Sequence, residues 1–546
     1  MNMKCYLSRT AIGCVVAVNV LAASQLRAQE LNQPTQHQVE TGQVLPDPAG
    51  AIENPAVTLP NTTLEALHEK VLSQRYLGLP VGLGSTFLPA PPADNSPPTS
   101  VHSGEQQTLG DPSLLIVGRN NRNTNANGLL GSTLAEPAAA NNALKVFAAG
   151  NFSHAEFSAN GGVSWTNVPL PGGPAATPIN CCDQYVVVDN ARRVFFHEDL
   201  YINASVTVGA VRIYVRQTLP AASCSYTFAI GNALPDFPKL GLTKRFLYLT
   251  INAVGLQGGF ARIYRLNMDQ MVNCVAATTN IFQQPFTTFG QRVWRPAEGT
   301  NSIEAMYWGQ LDNSTTFRVF RWRESDAAPT SIARPIAASS FTQPDCRGGV
   351  GNFNWVDALS ASGVGFRTVG SVARGANGGP GYVVFFWQAG PNASQTQGHI
   401  RGAAFNLSDL SLFAQPLIFN NTFCFGNPNL TANSRGDLGI SLGFGGRAGG
   451  GGAAAQGAVG VDDEFTSGIF FNLVAVASGT HNRSDQRYGD YFTVQPYEPC
   501  ENWFSATSYA LLNGVTAANV NSRYVEFGRN QSVRCYQAHS GQLPAN

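Results

Sequence analysis

From about residue 110 onward, short runs rich in Val, Ile, Phe, Tyr and Thr alternate with clusters of Gly, Asn, Asp and Pro. A 3.6-residue period is almost absent, so the pattern predicts β-strands joined by turns. A two-part unit recurs within it: an aromatic strand, then a strand carrying Arg, an aliphatic residue and an aromatic. Arg193–Phe196 precedes Val211–Arg216, Arg245–Thr250 precedes Ala261–Leu266, and Ala305–Gly309 precedes Phe317–Trp322. Tyr382–Trp387 precedes Ile400–Phe405 after an insertion, and weaker units begin near Lys145, Gly436 and Gly489. Seven units that cannot bury their own faces predict radial stacking, an all-β, seven-bladed β-propeller. A parallel β-helix would need shorter, more even repeats. To close the ring, the early strand 113–117 or the last strand near 524–527 completes a shared blade.

Ahead of the repeats the pattern differs. Residues 1–28 read as a signal peptide: Lys4 and Arg9 precede an apolar run from Ala11 to Ala23, and Ala28 ends a cleavable stretch. Residues 29–105 form a low-complexity extension rich in Gln, Asn, Pro and Thr. One short helix is expected there, capped by Thr62 or Thr63, with Leu64, Leu67, Val71 and Leu72 at helical spacing. A Pro-rich linker from Pro89 to Pro98 follows, and residues 106–546 form the propeller.

Charge narrows the partners. The whole chain balances 34 basic against 34 acidic residues. Without the signal, 31 face 34, so nothing attracts nucleic acid or an anionic membrane in bulk. No later run reaches the ~18 apolar residues of a membrane span. A monomer that is secreted to the periplasm, the cell surface or the medium is expected. Eight cysteines remain in the mature chain, and an even count in an exported protein reads as disulfides. Pairing sequence neighbours joins Cys224 to Cys274, Cys346 to Cys424 and Cys500 to Cys535, and leaves a vicinal Cys181–Cys182 bridge.

Ser158-Ala159-Asn160-Gly161-Gly162-Val163-Ser164-Trp165 resembles the Asp-box of sialidase-type propellers, with Asn160 for the Asp and Ser164 for the Thr. The box is a turn device, not a catalytic one. Cys181–Gln184, Pro235–Gly241, Phe317–Trp322, Asn433–Gly439 and Arg487–Tyr491 resemble segments of secreted bacterial propellers, mostly of unassigned function. The resemblance implies a sialidase-like fold and export, and little chemistry. The Phe/Tyr-Arg-Ile-Pro segment that opens the sialidase arginine set is absent. Arg262, Arg318 and Arg401 sit at repeated strand positions, which suggests packing or surface pairing instead.

Acids before inner-type strands carry the candidate chemistry: Asp183, Asp236, Asp437 and Asp490, with Lys239, Arg487 and Tyr491 beside them. Equivalent positions of different blades converge around a central channel, so these side chains are expected to share its mouth. Such a cluster suits sugar hydroxyls or a hard cation. The plainer reading is that each Asp caps its own turn or bonds backbone between blades. Asp462 and Asp463, after the Gly-rich stretch 443–460, are candidate Ca²⁺ ligands; that stretch reads as a flexible insert. His197-Glu198-Asp199 offers a general base with acidic neighbours, or a strand-end His satisfied by backbone. The function expected is recognition of an extracellular ligand, a glycan or a protein, at the channel mouth. The alternatives are a carbohydrate-active enzyme, hydrolase or lyase, and a structural or adhesive surface protein.

Overall fold

The structure is a computed structural model. It describes residues 39–47, 113 and 115–540, apart from 123–135, 152–153, 170–171, 218–221, 256–257, 286–292, 300–302, 341, 343, 357–367, 374–380, 467, 485–487, 489–491, 498–499, 501, 516–518 and the side chains of a few further residues. The expected signal peptide, the helix near 62–72 and the Pro-rich linker lie outside the described residues, as do Arg487, Asp490 and Tyr491.

Seven antiparallel sheets form the blades of a propeller. Blade 1 holds Ala138–Asn142, Lys145–Gly150, His154–Ser158 and Thr166–Asn167. Blade 2 holds Ile179–Asp189, Val194–Ile202, Gly209–Arg216 and Cys224–Gly231. In blade 3, Leu234–Leu242, Phe246–Gly255, Gly258–Asn267 and Ala277–Pro285 take Glu40–Val44 as a fifth, outermost strand. Blade 4 has Ala305–Asn313, Thr316–Arg323 and Thr330–Pro335, and residues 293–299 run along its inner edge, Ala297 N donating to Tyr307 O at 2.7 Å. Blade 5 holds Val369–Ala373, Tyr382–Ala389, His399–Asn406 and two short outer strands, and blade 6 holds Cys424–Ala432, Leu438–Gly445, Gln456–Asp462 and Asn472–Ala477. Blade 7 is Val494–Pro496, Trp503–Leu511, Val520–Arg529 and, on its outer edge, Leu115–Arg122. The two-part sequence unit is thus the middle hairpin of a blade: its aromatics alternate onto the two faces and fill the layers between sheets.

Both strands expected at the seam are used, and they pair with each other, Val117 opposite Phe527. The pairing ties the early chain to its end, so the ring closes without a free sheet edge between them. The helix Val533–Ser540 packs over this seam. Tyr536 stacks on Trp503 with ring centroids 3.8 Å apart, and Cys500–Cys535 ties it down. All four expected disulfides are formed.

Between blades the aromatics stack as sets. Trp294, Trp308, Phe320 and Phe282 fill one layer, with Trp308 and Phe320 parallel at 5.0 Å. Phe317, Phe385, Trp387 and Phe405 fill the next. The recurring arginines do structural work, as their repetition suggested. Arg262 bonds Gln283 and Tyr264, and Arg318 pairs with Asp312 at 2.8 Å.

Residues 443–460, read as a flexible insert, are largely built into blade 6. Gly443 and Gly460 lie within strands, and the loop between them is held by the hairpin Arg347–Gly348/Phe353–Asn354, with Gly451 N donating to Asn352 Oδ1 at 2.9 Å. Glycine is needed there for a left-handed backbone, as at Gly446 (φ 61°) and Gly450 (φ 89°), and in the clamping hairpin for close approach: a Cβ on Gly348 would lie 2.1 Å from Ala453 O.

Candidate functional site

The inner strands of three blades are bulged at the same place, with two extra residues in blade 2 and one in blades 3 and 6. Their register breaks between Cys181 and Gln184, between Asp236 and Lys239, and between Gly426 and Asn429. The first residue passed over has a left-handed backbone each time: Cys182 at φ 72°, Phe237 at 47° and Asn427 at 49°. A bulge re-aims the side chains that follow it. Here those are Tyr185, Lys239 and Asn429, and all three line one small cavity with Arg295, Glu298 and Gly370. The cavity measures ≈ 10 Å³, about the space of one water molecule.

Tyr185 is its centre. Its Oη donates to Glu298 Oε1 at 2.5 Å and accepts from Asn429 Nδ2 at 3.3 Å. Gln495 Nε2, from blade 7, donates to the other Glu298 oxygen at 2.7 Å. The Lys239 ammonium stands 3.8 Å from the centre of the Tyr185 ring, a desolvated cation–π contact. Elements from blades 2 to 7 therefore converge on one tyrosine.

Burial sets the electrostatics. It pushes the Glu298 carboxyl up to about 8, although Tyr185, Lys239, Arg295 and Gln495 favour the carboxylate. Burial and the neighbouring Glu298 raise the Tyr185 phenol well above its ordinary value. Burial and Arg295 hold the Lys239 ammonium well below its own, against Asp183, Glu298 and Glu198. Burial, Asp199 and Asp183 push Glu198 well up.

Of the residues singled out in the sequence, Asp183, Asp236 and Lys239 are brought together, inside the inner strands rather than ahead of them. Asp183 Oδ2 accepts from Phe237 N at 3.1 Å, so this carboxylate binds the neighbouring blade's bulge. Asp236, also buried, immediately precedes that bulge residue. Asp437 is elsewhere. It closes the turn after the inner strand of blade 6, accepting from Asn433 at 3.0 Å, and its charged neighbours are Arg435, Glu464 and Asp463. Asp462 accepts from Thr466 at 2.6 Å, and Asp463 forms a buried two-point pair with Arg529. Among the described residues no group of three or more His, Cys, Asp or Glu side chains is placed to hold a metal ion.

His197 is fully buried in mid-strand, not at a strand end. Its Nε2 lies 3.3 Å from Asp199 and its ring sits between Phe147 and Tyr214. Burial lowers its pKa, against the pull of Asp199. At 158–165, Ser158 Oγ accepts from Gly162 N at 2.8 Å, Asn160 Oδ1 accepts from Ser164 N at 2.9 Å, and Trp165 packs edge-on to Tyr524. That is a folding device.

Sequence reasoning missed Tyr185, Arg295, Glu298, Asn429 and Gln495. One signal was present: Asp236-Phe237-Pro238-Lys239-Leu240 and Gly426-Asn427-Pro428-Asn429-Leu430 share a Pro-Lys/Asn-Leu core, which marks the bulge.

No family model matches this chain, and no curated protein does. Among solved structures it is similar to the Dos1 propeller (8% identity over 77% of this chain and 97% of that one, TM-score 0.39). It is similar to the NanB sialidase from Streptococcus pneumoniae (8% identity, 62% and 68% covered, TM-score 0.36). It is also similar to the six-bladed, fucose-recognising fungal lectin of Aleuria aurantia (10% identity, 62% and 94% covered, TM-score 0.31). At these TM-scores the likeness decides nothing about the chemistry of the channel; the fold is read from the sheet topology itself.

Proposed function

We propose that this chain is an exported β-propeller that recognises an extracellular ligand, a glycan in the first instance, at the mouth of its central channel. The observation that carries this reading is the convergence of Tyr185, Lys239, Arg295, Glu298 and Asn429 on one cavity, with Gln495 bonded to Glu298. A floor that mixes phenol, amide, carboxyl and cationic groups offers donors and acceptors to sugar hydroxyls. Four disulfides fit an oxidising compartment. No helix among the described residues is long and apolar enough to cross a membrane.

The cavity holds about one water, so a bound sugar would rest above this floor rather than enter it. A carbohydrate-active enzyme is the second reading, and the Tyr185–Glu298 pair favours it: a phenol on a carboxyl with a raised pKa is acid–base equipment. A glycan-array screen of the mature protein, with and without Ca²⁺, separates the readings. Binding with the sugar intact supports recognition, and loss of binding in Lys239→Met places it in the channel. A shortened sugar in the mass spectrum supports the enzyme. Silence on all glycans overturns both and favours a protein partner or a structural, adhesive role.

A further inference from the structure

The three inner-strand bulges differ in how they are held. In blades 3 and 6 the second bulge residue is proline, Pro238 and Pro428. Proline fixes its own φ and removes a backbone donor that the broken ladder would leave without a partner. Blade 2 has Asp183 at that position and no proline within the bulge; instead its first bulge residue, Cys182, is joined to Cys181. The bridge makes a small ring of two consecutive residues, which limits the backbone as a proline ring does.

We propose that the Cys181–Cys182 bridge is a positioning device, standing in for the proline of the other two bulges, that aims Asp183 and Tyr185 at the channel. Two contacts show what it aims. Asp183 Oδ2 takes the amide of Phe237, the left-handed residue of the blade 3 bulge, so one bulge is fastened to the next. Tyr185, three residues past Cys182, reaches Glu298, Asn429 and Lys239. Both cysteines are buried, 1% and 4% exposed, and packed in the core of blades 1 to 3, so the device works inside the fold. This inference does not require that the channel binds a glycan; where it does, Cys181 and Cys182 set the geometry of the floor without touching the ligand.

The test compares the full mature chain with two variants by amide hydrogen exchange. Cys181→Ser/Cys182→Ser removes the ring and leaves the other three disulfides. Exchange at residues 184–189 and at Phe237 is expected to quicken by about tenfold, while Cys424–Ala432 stays as in the wild type, since local opening is reported segment by segment. Cys181→Gly/Cys182→Asn/Asp183→Pro copies Gly426-Asn427-Pro428 into blade 2. It is expected to restore residues 184–189 to within about threefold of wild type, with Phe237 still fast because its acceptor is gone. Unchanged exchange in the double variant overturns the proposal. So does a triple variant that exchanges as fast as the double one. Should the double variant fail to fold, the triple variant decides alone: wild-type protection at 184–189 supports the proline equivalence, and its loss overturns it.

Discussion

Tyr185 and Glu298, 113 residues apart in the chain, share a 2.5 Å hydrogen bond at the centre of the ring. Blade 2 contributes one partner and the segment inside blade 4 the other, so the contact exists only once the ring has formed. Removing the donor alone tests its worth. Tyr185→Phe keeps the ring under Lys239 and leaves Glu298 without its phenol. The expected loss is about 1–3 kcal/mol, the cost of stranding a buried polar group, read as a lower urea midpoint with an unchanged slope.

The pH dependence of stability follows from Glu298. Its carboxyl titrates near 8 in the folded chain, above its usual value, so the native state binds the proton more tightly than the unfolded state does. Protons are then lost on unfolding, and this contribution falls as pH rises from the ordinary carboxyl range to about 8. The slope from one such group is at most about 1.4 kcal/mol per pH unit. Asp437 and Asp462, pushed up to about 6 and about 7, act in the same direction. Glu298→Gln is expected to flatten the fall between pH 5 and 8, as measured by urea unfolding across that range. An unchanged slope would show that Glu298 titrates normally.

The seam is held by charge as well as by strand pairing. Arg529 reaches both oxygens of Asp463 at 2.7 Å and the carbonyl of Ser113 at 2.6 Å, and neither side chain of the pair is exposed. Taking one partner from such a buried pair costs about 3–5 kcal/mol. Arg529→Met is expected to lose that much in equilibrium unfolding, far more than Lys244→Met, whose pairing with Glu304 is exposed.

The early segment 39–47 belongs to the propeller in space. Glu40–Val44 pairs with Ala277–Ile281, and Asp47 bonds Ser225, Thr227 and Arg212 on blade 2. The strand is mostly exposed, so it adds backbone bonds rather than core. Deleting residues 29–47 is expected to raise amide exchange along Ala277–Ile281 while leaving the seam at Val520–Arg529 protected. Uniform loss of protection would instead make the segment essential to the whole ring.

The architecture was legible because it is a matter of period and composition. Unbroken apolar runs such as Tyr382–Trp387, punctuated by Gly and Asn, read as strands that bury both faces, and seven copies of one hairpin can only be buried by stacking. The disulfides were legible too, since each longer pair spans neighbouring cysteines. The site was legible only in part. Asp183 and Lys239 drew notice as charges beside inner strands, but Tyr185 and Asn429 look like ordinary strand residues, and Asp437 looked equivalent to Asp183 while closing a turn elsewhere. Strand order and cysteine pairing are local or periodic properties, written in the spacing of residues along the chain. Which polar groups meet in the channel depends on three bulges, each shifting one inner strand by a residue or two. The one-residue shifts of blades 3 and 6 turn the side chains beyond them from one face to the other, and only the closed ring decides where they then point.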